Sequence, residues 1–325
     1  MREGRRVVNF DSQIKRLKPL LSMLRSSISL LFLGTTLLTS CATLTKSQLQ
    51  AVNEYATLTD KGITYPEKIL NETFDGLYKA RVLEGSQNVS RTKPLTYSAI
   101  VGYNADRVKG LDTLKRLKAE LNVLSEYALA LKKLSSPDFA TTAATSADAL
   151  GKSVDKVTTT IAGTAVSGVG NALSATIKAV GKRYIGARQT RAIQRFVNEG
   201  DILVDMICQS NEQFFQTNAN EYINGIERSS MATANGMLLV VSGQSNVPVE
   251  RFQMALATAE LIARYESLRL LNRQAVQAFR QFRLAHNELK NTLKKKQNLK
   301  SVGQQLIDLY QTVNEIQTAF QEVKF

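Results

Sequence analysis

Apolar side chains recur at alternating intervals of three and four residues between residues 249 and 323, and no proline interrupts them. Such spacing gives an α-helix one apolar stripe, which is buried against other helices. A first row holds Leu261, Tyr265, Leu268, Asn272, Ala275, Phe279, Phe282, His286, Leu289 and Leu293. After a slip of phase, a second row holds Val302, Leu306, Leu309, Val313, Ile316, Phe320 and Val323. The slip permits a hairpin or one long helix, and the lack of proline favours a continuous or kinked helix over 249–323.

The same spacing occurs earlier in the chain, and together the rows predict the fold class. A third row holds Leu114, Leu117, Leu121, Leu124, Ala128 and Leu131. Apolar spacing and proline positions predict helices at 46–63, 66–84, 97–134, 138–181, 184–199, 201–230 and 249–323. We therefore expect an all-α fold, an elongated helical bundle whose long heptad-patterned helices pack in a coiled-coil-like manner.

Composition excludes several classes of protein. With 43% hydrophobic and 22% charged residues, the 325-residue chain is too apolar to be disordered and too charged to be a polytopic membrane protein. One histidine and two cysteines cannot supply a multi-histidine metal site or a disulfide scaffold. The sequence has no motif for a serine nucleophile, a cysteine–histidine pair or paired catalytic carboxylates. We predict a protein without enzymatic activity, cofactor or metal.

A short apolar segment near the amino terminus has the form of an export signal. Arg25 precedes an apolar core over residues 28–38, and small residues lead from this core to Cys41. The core has 11 residues, whereas a membrane-spanning helix needs about 20. The sequence Leu38-Thr39-Ser40-Cys41 resembles the lipobox of bacterial lipoprotein precursors. The resemblance implies cleavage before Cys41, a diacylglyceryl thioether on its sulfur and an acylated amino terminus.

This resemblance divides the chain into three parts. By this resemblance we expect residues 23–40 to be a lipoprotein signal peptide and residues 41–325 to be one elongated helical domain. Residues 1–22 are either a long cationic leader or an extension of the reading frame that is not translated. In the second case Met23, rather than Met1, is the true start. Residue 42 is alanine rather than aspartate, which by the same resemblance favours the outer membrane and its periplasmic face.

The charge of the exported part indicates which partners to expect. From Cys41 onward the chain has 35 Lys and Arg against 26 Asp and Glu. Outside the cytosol this excess favours anionic lipid, cell-wall polymer or an acidic protein, and not nucleic acid. Six cations fall on one side of the predicted C-terminal helix: Arg269, Arg273, Arg280, Arg283, Lys290 and Lys294. This basic stripe either contacts such a partner or pairs with acids of a neighbouring helix. Candidate acids are Asp106, Asp112, Glu120 and Glu126.

The segment 138–182 is rich in Ala, Thr, Ser and Gly, and its part 158–177 has no charge. Small residues allow close helix packing, and an uncharged helix of this length could also enter a bilayer. Too few large aliphatic residues are present to favour insertion, so we expect a closely packed helix. His286 occupies a seam position as a register-setting or solvent-edge residue, and Cys208 is expected to be buried.

These features predict a lipid-anchored, non-catalytic helical scaffold, spacer or adaptor of the cell envelope. Two alternatives remain open, a membrane-active protein that inserts 158–177 and a ligand-sensing helical domain. Self-association and the identity of the partner are not determined by the sequence.

Overall fold

A computed structural model describes residues 43–87, 97–136, 185–241, 248–295 and 299–322. Residues 44–325 form one compact unit, and of the other unit, residues 1–43, only Thr43 is described. The described residues contain no strand, which confirms the all-α class. In chain order the helices are α1 (Lys46–Gly62), α2 (Thr64–Gln87), α3 (Tyr97–Ser135), α4 (Ile185–Phe214), a π-helical segment (Phe215–Ala219), α5 (Asn220–Val241), α6 (Pro248–Lys295) and α7 (Leu299–Glu322).

Local sequence explains where the helices begin. At α1 the Thr45 hydroxyl accepts a hydrogen bond from the Gln48 N–H (3.2 Å), and the Gln48 side chain accepts one from the Thr45 N–H (2.9 Å). This reciprocal capping satisfies two amide donors that a helix start would otherwise leave without partners. Helix α6 begins at Pro248, where the fixed φ of proline suits the first helical residue. The predicted helix 138–181 lies outside the described residues.

The predicted break between 184–199 and 201–230 is wrong. Helix α4 continues through Gly200, and the regular α-helix changes only at the π-helical segment. Gly200 is required for close packing, because a Cβ there would lie 2.3 Å from the Tyr127 ring. On α6, the Asn272 amide donates to the Phe215 carbonyl (2.9 Å), which stabilises the first residue of the π-helical segment. Sequence spacing alone cannot show such a contact between distant helices.

The predicted continuous helix over 249–323 is also wrong, because α6 and α7 pack side by side as a hairpin. The Ser301 hydroxyl on α7 donates to the Glu288 carboxylate on α6. The apolar rows of α6 and α7 both pack against Gly62 of α1. A Cβ added to Gly62 would lie within 3.0 Å of both Phe282 of α6 and Val313 of α7. Folding back buries both rows in one core, which a single extended helix could not do.

Helix α6 lies at the centre of the compact unit. It packs against α1, α2, α4, the π-helical segment, α5 and α7. All ten residues of its predicted row are buried. A further row spaced by seven residues is also buried, and it holds Leu271, Ala278, Ala285 and Thr292. Burial of the predicted stripe is confirmed, whereas coiled-coil pairing and an elongated form stay predictions.

We predict that Gly62→Ala destabilises the protein and that Gly303→Ala does not. The added methyl at residue 62 would lie 2.5 Å from the Phe282 ring, whereas nothing lies within 4 Å of the same position on Gly303. Overpacking of this kind costs about 1–3 kcal/mol. Alanine in place of glycine within a helix stabilises by up to about 1 kcal/mol. Urea unfolding of the two variants measures both effects, and equal free energies of unfolding would contradict the packing at Gly62.

Candidate functional site

Two members of the basic stripe pair with acids of α4. Arg280 donates to the Glu212 carboxylate through Nε (3.0 Å) and Nη2 (2.8 Å). Arg283 lies 3.4 Å from the other oxygen of Glu212 and 3.8 Å from the Asp205 carboxylate. Glu212 is largely buried, with 13% of its side chain exposed, so these charges are less screened than pairs in open solvent. This part of the stripe joins α6 to α4.

Of the other four members of the stripe, two make a polar contact and two are exposed. Lys290 pairs with Asp201 of α4, and Arg269 donates to the hydroxyl of Tyr265 on its own helix (3.1 Å). The last two are exposed and have no ion-pair partner within the described ranges: Arg273 and Lys294. Contact of the stripe with an anionic partner stays a prediction, and three of its six cations are already paired with acids of α4.

The acids that pair with the stripe come from α4, not from α3 as the sequence suggested. Glu120 of α3 instead accepts from Arg116 (3.0 Å) and Asn211 (2.6 Å), and Asp112 pairs with Lys115 (2.9 Å). The reason is that α4, rather than α3, packs extensively along the charged flank of α6. The side chain of Asp106 lies outside the described residues, and no ion pair of Glu126 is recorded.

A buried polar cluster connects α1, α3, α4 and α6. The Tyr127 hydroxyl and His286 Nε2 are 2.7 Å apart, and His286 Nδ1 lies 3.3 Å from the Asp201 carboxylate. The second oxygen of Asp201 pairs with Lys290. The Tyr55 ring packs 5.6 Å from the imidazole, centroid to centroid. Four helices are therefore linked through one imidazole.

Burial and charge fix the protonation states in this cluster. The hydrogen bond from His286, assisted by Lys290, lowers the pKa of Asp201 to about 2 in spite of partial burial. Burial lowers the pKa of His286 below its ordinary value, outweighing the opposite effect of Asp201. Burial also raises the pKa of Tyr55 and Tyr127 well above the ordinary value. At neutral pH the aromatic members are uncharged, and the Asp201 carboxylate is ionised.

The order tyrosine, histidine, aspartate resembles a proton relay, but its position argues for a structural role. Tyr127 is 0% exposed and His286 is 1% exposed. Tyr127 also stacks on Phe196 with ring centroids 5.0 Å apart, which covers its face. A substrate therefore cannot reach the hydroxyl without the helices separating. The expected register-setting role of His286 agrees with this burial, and the solvent-edge alternative does not.

Cys208 is fully buried and forms no disulfide, as expected. Burial raises the pKa of its thiol far above the ordinary value. The thiolate is the reactive form of cysteine, so this residue is a packing group rather than a nucleophile. Four predicted features lie outside the described residues: signal segment 23–40, Cys41, the small-residue segment 138–182 and its uncharged part 158–177.

An open polar cleft of about 470 Å³ lies between α3, the end of α4 and the π-helical segment. Its most buried charged group is the Glu120 carboxylate, bonded to Arg116 and Asn211, and the π-helical segment adds Thr217 and Asn218. Single π-helical turns often occur at functional sites because they redirect side chains. Amide, hydroxyl and carboxylate groups here could bind a small polar molecule. The sequence showed no signal for this cleft, since its residues come from three elements.

The chain is fixed to the helical unit immediately after the first described residue. The Leu44 N–H donates to the Thr190 hydroxyl near the start of α4 (2.8 Å), and Thr45 then caps α1. Leu44 itself is 9% exposed and belongs to the main hydrophobic core. Only Ala42 and Thr43 separate it from Cys41 in the sequence.

Three further hydrogen bonds, donated by two glutamine side chains, bring other helix ends to the same place. The Gln189 amide donates to the carbonyls of Leu134 (2.8 Å) and Ser136 (3.1 Å) at the end of α3. The Gln194 amide donates to the Leu293 carbonyl near the end of α6 (2.8 Å). We call this region the Leu44 end, comprising the start of α1, the end of α3, the start of α4, the end of α6 and the start of α7.

We predict that His286 makes the stability of the protein depend on pH. Its folded pKa lies below the ordinary value of 6.5, so the unfolded chain binds the proton more readily. The free energy of unfolding should therefore fall as pH drops below about 6.5. His286 is the only histidine of the chain. The urea concentrations at the midpoint of unfolding, measured at about pH 7.5 and about pH 5.5, report the effect. Few other side chains change protonation between these two pH values.

The matched variant is His286→Gln, which keeps a polar side chain and removes the titrating group. It should lose most of the difference between the two midpoints, whatever its stability at neutral pH. An unchanged difference would contradict the burial of a neutral imidazole.

Among the described residues, no group of three or more His, Cys, Asp or Glu side chains is placed to bind a metal ion. None of the described helices contains an apolar stretch that could cross a membrane. Comparison of the chain with protein families, curated proteins and solved structures finds no match.

Proposed function

We propose that this protein is a lipid-anchored, non-catalytic helical scaffold or adaptor at the periplasmic face of the outer membrane. The observation that carries the proposal is the short distance along the chain between Cys41 and Leu44. Cys41 ends a lipobox-like sequence, and Leu44 is already bonded to Thr190 and packed in the core. The anchor would thus join the helical unit without a flexible stalk.

Covalent geometry sets the reach of such an anchor. Three residues span at most about 11 Å when fully extended. Two acyl chains hold a protein on a bilayer stably, whereas one chain does not. Acylation of Cys41 would therefore keep the Leu44 end close to the membrane surface. A linker of disordered residues would instead allow a wider range of distances between the unit and the membrane.

The polar groups of the helical unit favour a scaffold over an enzyme. The strongest cluster, around His286, is buried and joins helices. Arg280 and Arg283 are used for packing α6 against α4. A compact helical unit of this kind can present its outer surfaces to other envelope components at a defined height above the bilayer.

Ligand sensing is a second candidate, and the polar cleft beside the π-helical segment favours it. Glu120 and Asn211 place a carboxylate and an amide at the cleft, where they could recognise a small polar molecule. This activity would not depend on the height of the unit above the membrane. The distinction gives a way to separate the two candidates.

We predict that Cys41 carries the anchor. The protein purified from its native envelope should begin at Cys41 with a diacylglyceryl thioether and an acylated amino group, as read by intact-mass and peptide mass spectrometry. Cys41→Ser should leave the membrane fraction, whereas Cys208→Ser should stay there, because Cys208 is buried in the core. A free Cys41 thiol with residues 23–40 still attached would refute the anchor.

We predict that scaffold function depends on the short tether. Twenty glycine and serine residues inserted between Ala42 and Thr43 would have an end-to-end distance of about 25 Å. In-cell crosslinking of the wild type should capture recurrent envelope partners, and the insertion should remove them while the variant stays membrane-bound. Partners that survive the insertion would favour the ligand-sensing candidate over a scaffold of fixed reach.

A further inference from the structure

The Leu44 end has an unusual charge distribution. We consider the described side chains within eight residues of each helix terminus that meets there. Seven are cations, namely Lys46, Lys132, Lys133, Arg191, Lys290, Lys294 and Lys300, and two are acids, Glu54 and Glu288. The local ratio of cations to acids is therefore larger than that of the whole chain, which has 42 Lys and Arg against 28 Asp and Glu.

One of these cations has an acidic partner in α4, and four have no recorded ion pair. Lys290 pairs with Asp201. Within the part of the chain that the structure describes, no ion pair is recorded for Lys46, Lys132, Lys133 and Lys294. Three of these four are exposed and Lys133 is partly exposed, so their ammonium groups can face solvent.

Several cations elsewhere on the unit are neutralised locally, whereas Arg228 and Arg273 are exposed and have no ion pair within the described ranges. Lys79 pairs with Asp75 (2.8 Å) and Lys115 with Asp112 (2.9 Å). Lys118 of α3 reaches Glu67 of α2 (2.9 Å). Lys61 and Lys68 also lack an acidic partner, but Lys61 donates to Asn314 and Lys68 lies over aromatic rings. Among the described lysines, those without an ion pair, a hydrogen bond or a ring contact all lie at the Leu44 end.

Helix dipoles explain only part of this concentration. Lys132, Lys133 and Lys294 lie in the last turns of α3 and α6, where cations are favourable. Lys46 is the first residue of α1 and Lys300 the second residue of α7, where the dipole disfavours cations. No acid occurs in the first turn of either helix. The helix dipoles therefore favour three of these lysines and oppose only Lys46 and Lys300.

We propose that the Leu44 end is a membrane-facing surface that binds anionic phospholipid headgroups. This inference rests on the proposed lipid anchor, because the anchor brings this end of the unit to a bilayer. A charged membrane surface acts over a Debye length of about 8 Å at physiological salt. The short tether keeps the lysines within about that range, whereas a long linker would not. Acyl chains and lysines together then fix the orientation of the helical unit.

The test uses the mature chain, residues 41–325, with Cys41→Ser so that acylation cannot contribute to binding. It contains the whole compact unit formed by residues 44–325. Sedimentation with vesicles compares pure phosphatidylcholine with an equal mixture of phosphatidylglycerol and phosphatidylcholine. We expect binding to the anionic vesicles only, and we expect that binding to weaken as salt is raised.

The diagnostic variant replaces the four lysines without an ion pair at this end, Lys46, Lys132, Lys133 and Lys294, by glutamine. Its partitioning onto anionic vesicles should fall by at least about 100-fold, given the usual contribution of each cation near such a surface. A control with the same net charge replaces Lys79, Lys115, Lys118 and Arg273 by glutamine. The control should lose less than about fivefold, because these side chains lie away from the Leu44 end. Urea unfolding of both variants checks that they are folded.

Three results would overturn the proposal. They are equal binding to both kinds of vesicle, an equal loss in the control, or no binding to anionic vesicles at all. The last result would exclude an anionic lipid surface as the partner of these lysines. Because acylation is absent from this assay and is read separately by mass spectrometry of the native protein, failure of the surface and failure of the anchor are distinguishable. Should Lys46→Gln prevent folding, the pair Lys132→Gln and Lys133→Gln gives the same test with an expected loss of about tenfold.

Discussion

Burial of adjacent rows of side chains on α6 is the constraint on which the rest of the structure depends. A surface helix buries one stripe, whereas α6 adds a row at Leu271, Ala278 and Ala285 to the stripe that its spacing predicts. The two alanines of the added row let neighbouring helices approach closely. Helices on several sides of α6 thus share one core, and the hairpin with α7 follows because the apolar row of α7 must also be buried.

Polar residues within this core select one arrangement of helices. Asn272 and His286 belong to the same row of α6 but contact different neighbours, the carbonyl of Phe215 and the hydroxyl of Tyr127. A shift of α6 by one turn would leave these groups buried without partners, which costs more than losing apolar contact alone. The π-helical segment and the close contact of Tyr127 with Gly200 are consistent with that register.

The helical unit and its proposed anchor are connected through Leu44. Its hydrogen bond to Thr190 and its place in the core fix the chain close to where the lipobox-like sequence ends. The neighbouring helix ends supply lysines without recorded acidic partners, whereas Lys79, Lys115 and Lys118, farther along α2 and α3, pair with acids. An anchor and a cationic surface at one end would act together, because the acyl chains supply attachment and the charges supply orientation.

Periodicity determined the helical class, most helix starts and the buried row of α6, because these depend on residues near one another in sequence. The lipobox-like motif and the excess of cations were likewise evident from the amino-acid sequence alone. Only the tertiary structure decided that α6 and α7 form a hairpin, that α4 continues through Gly200, and that Glu212 rather than an acid of α3 binds Arg280 and Arg283. Each of these depends on which helices become neighbours, and apolar spacing identifies the side that is buried without identifying the partner that buries it.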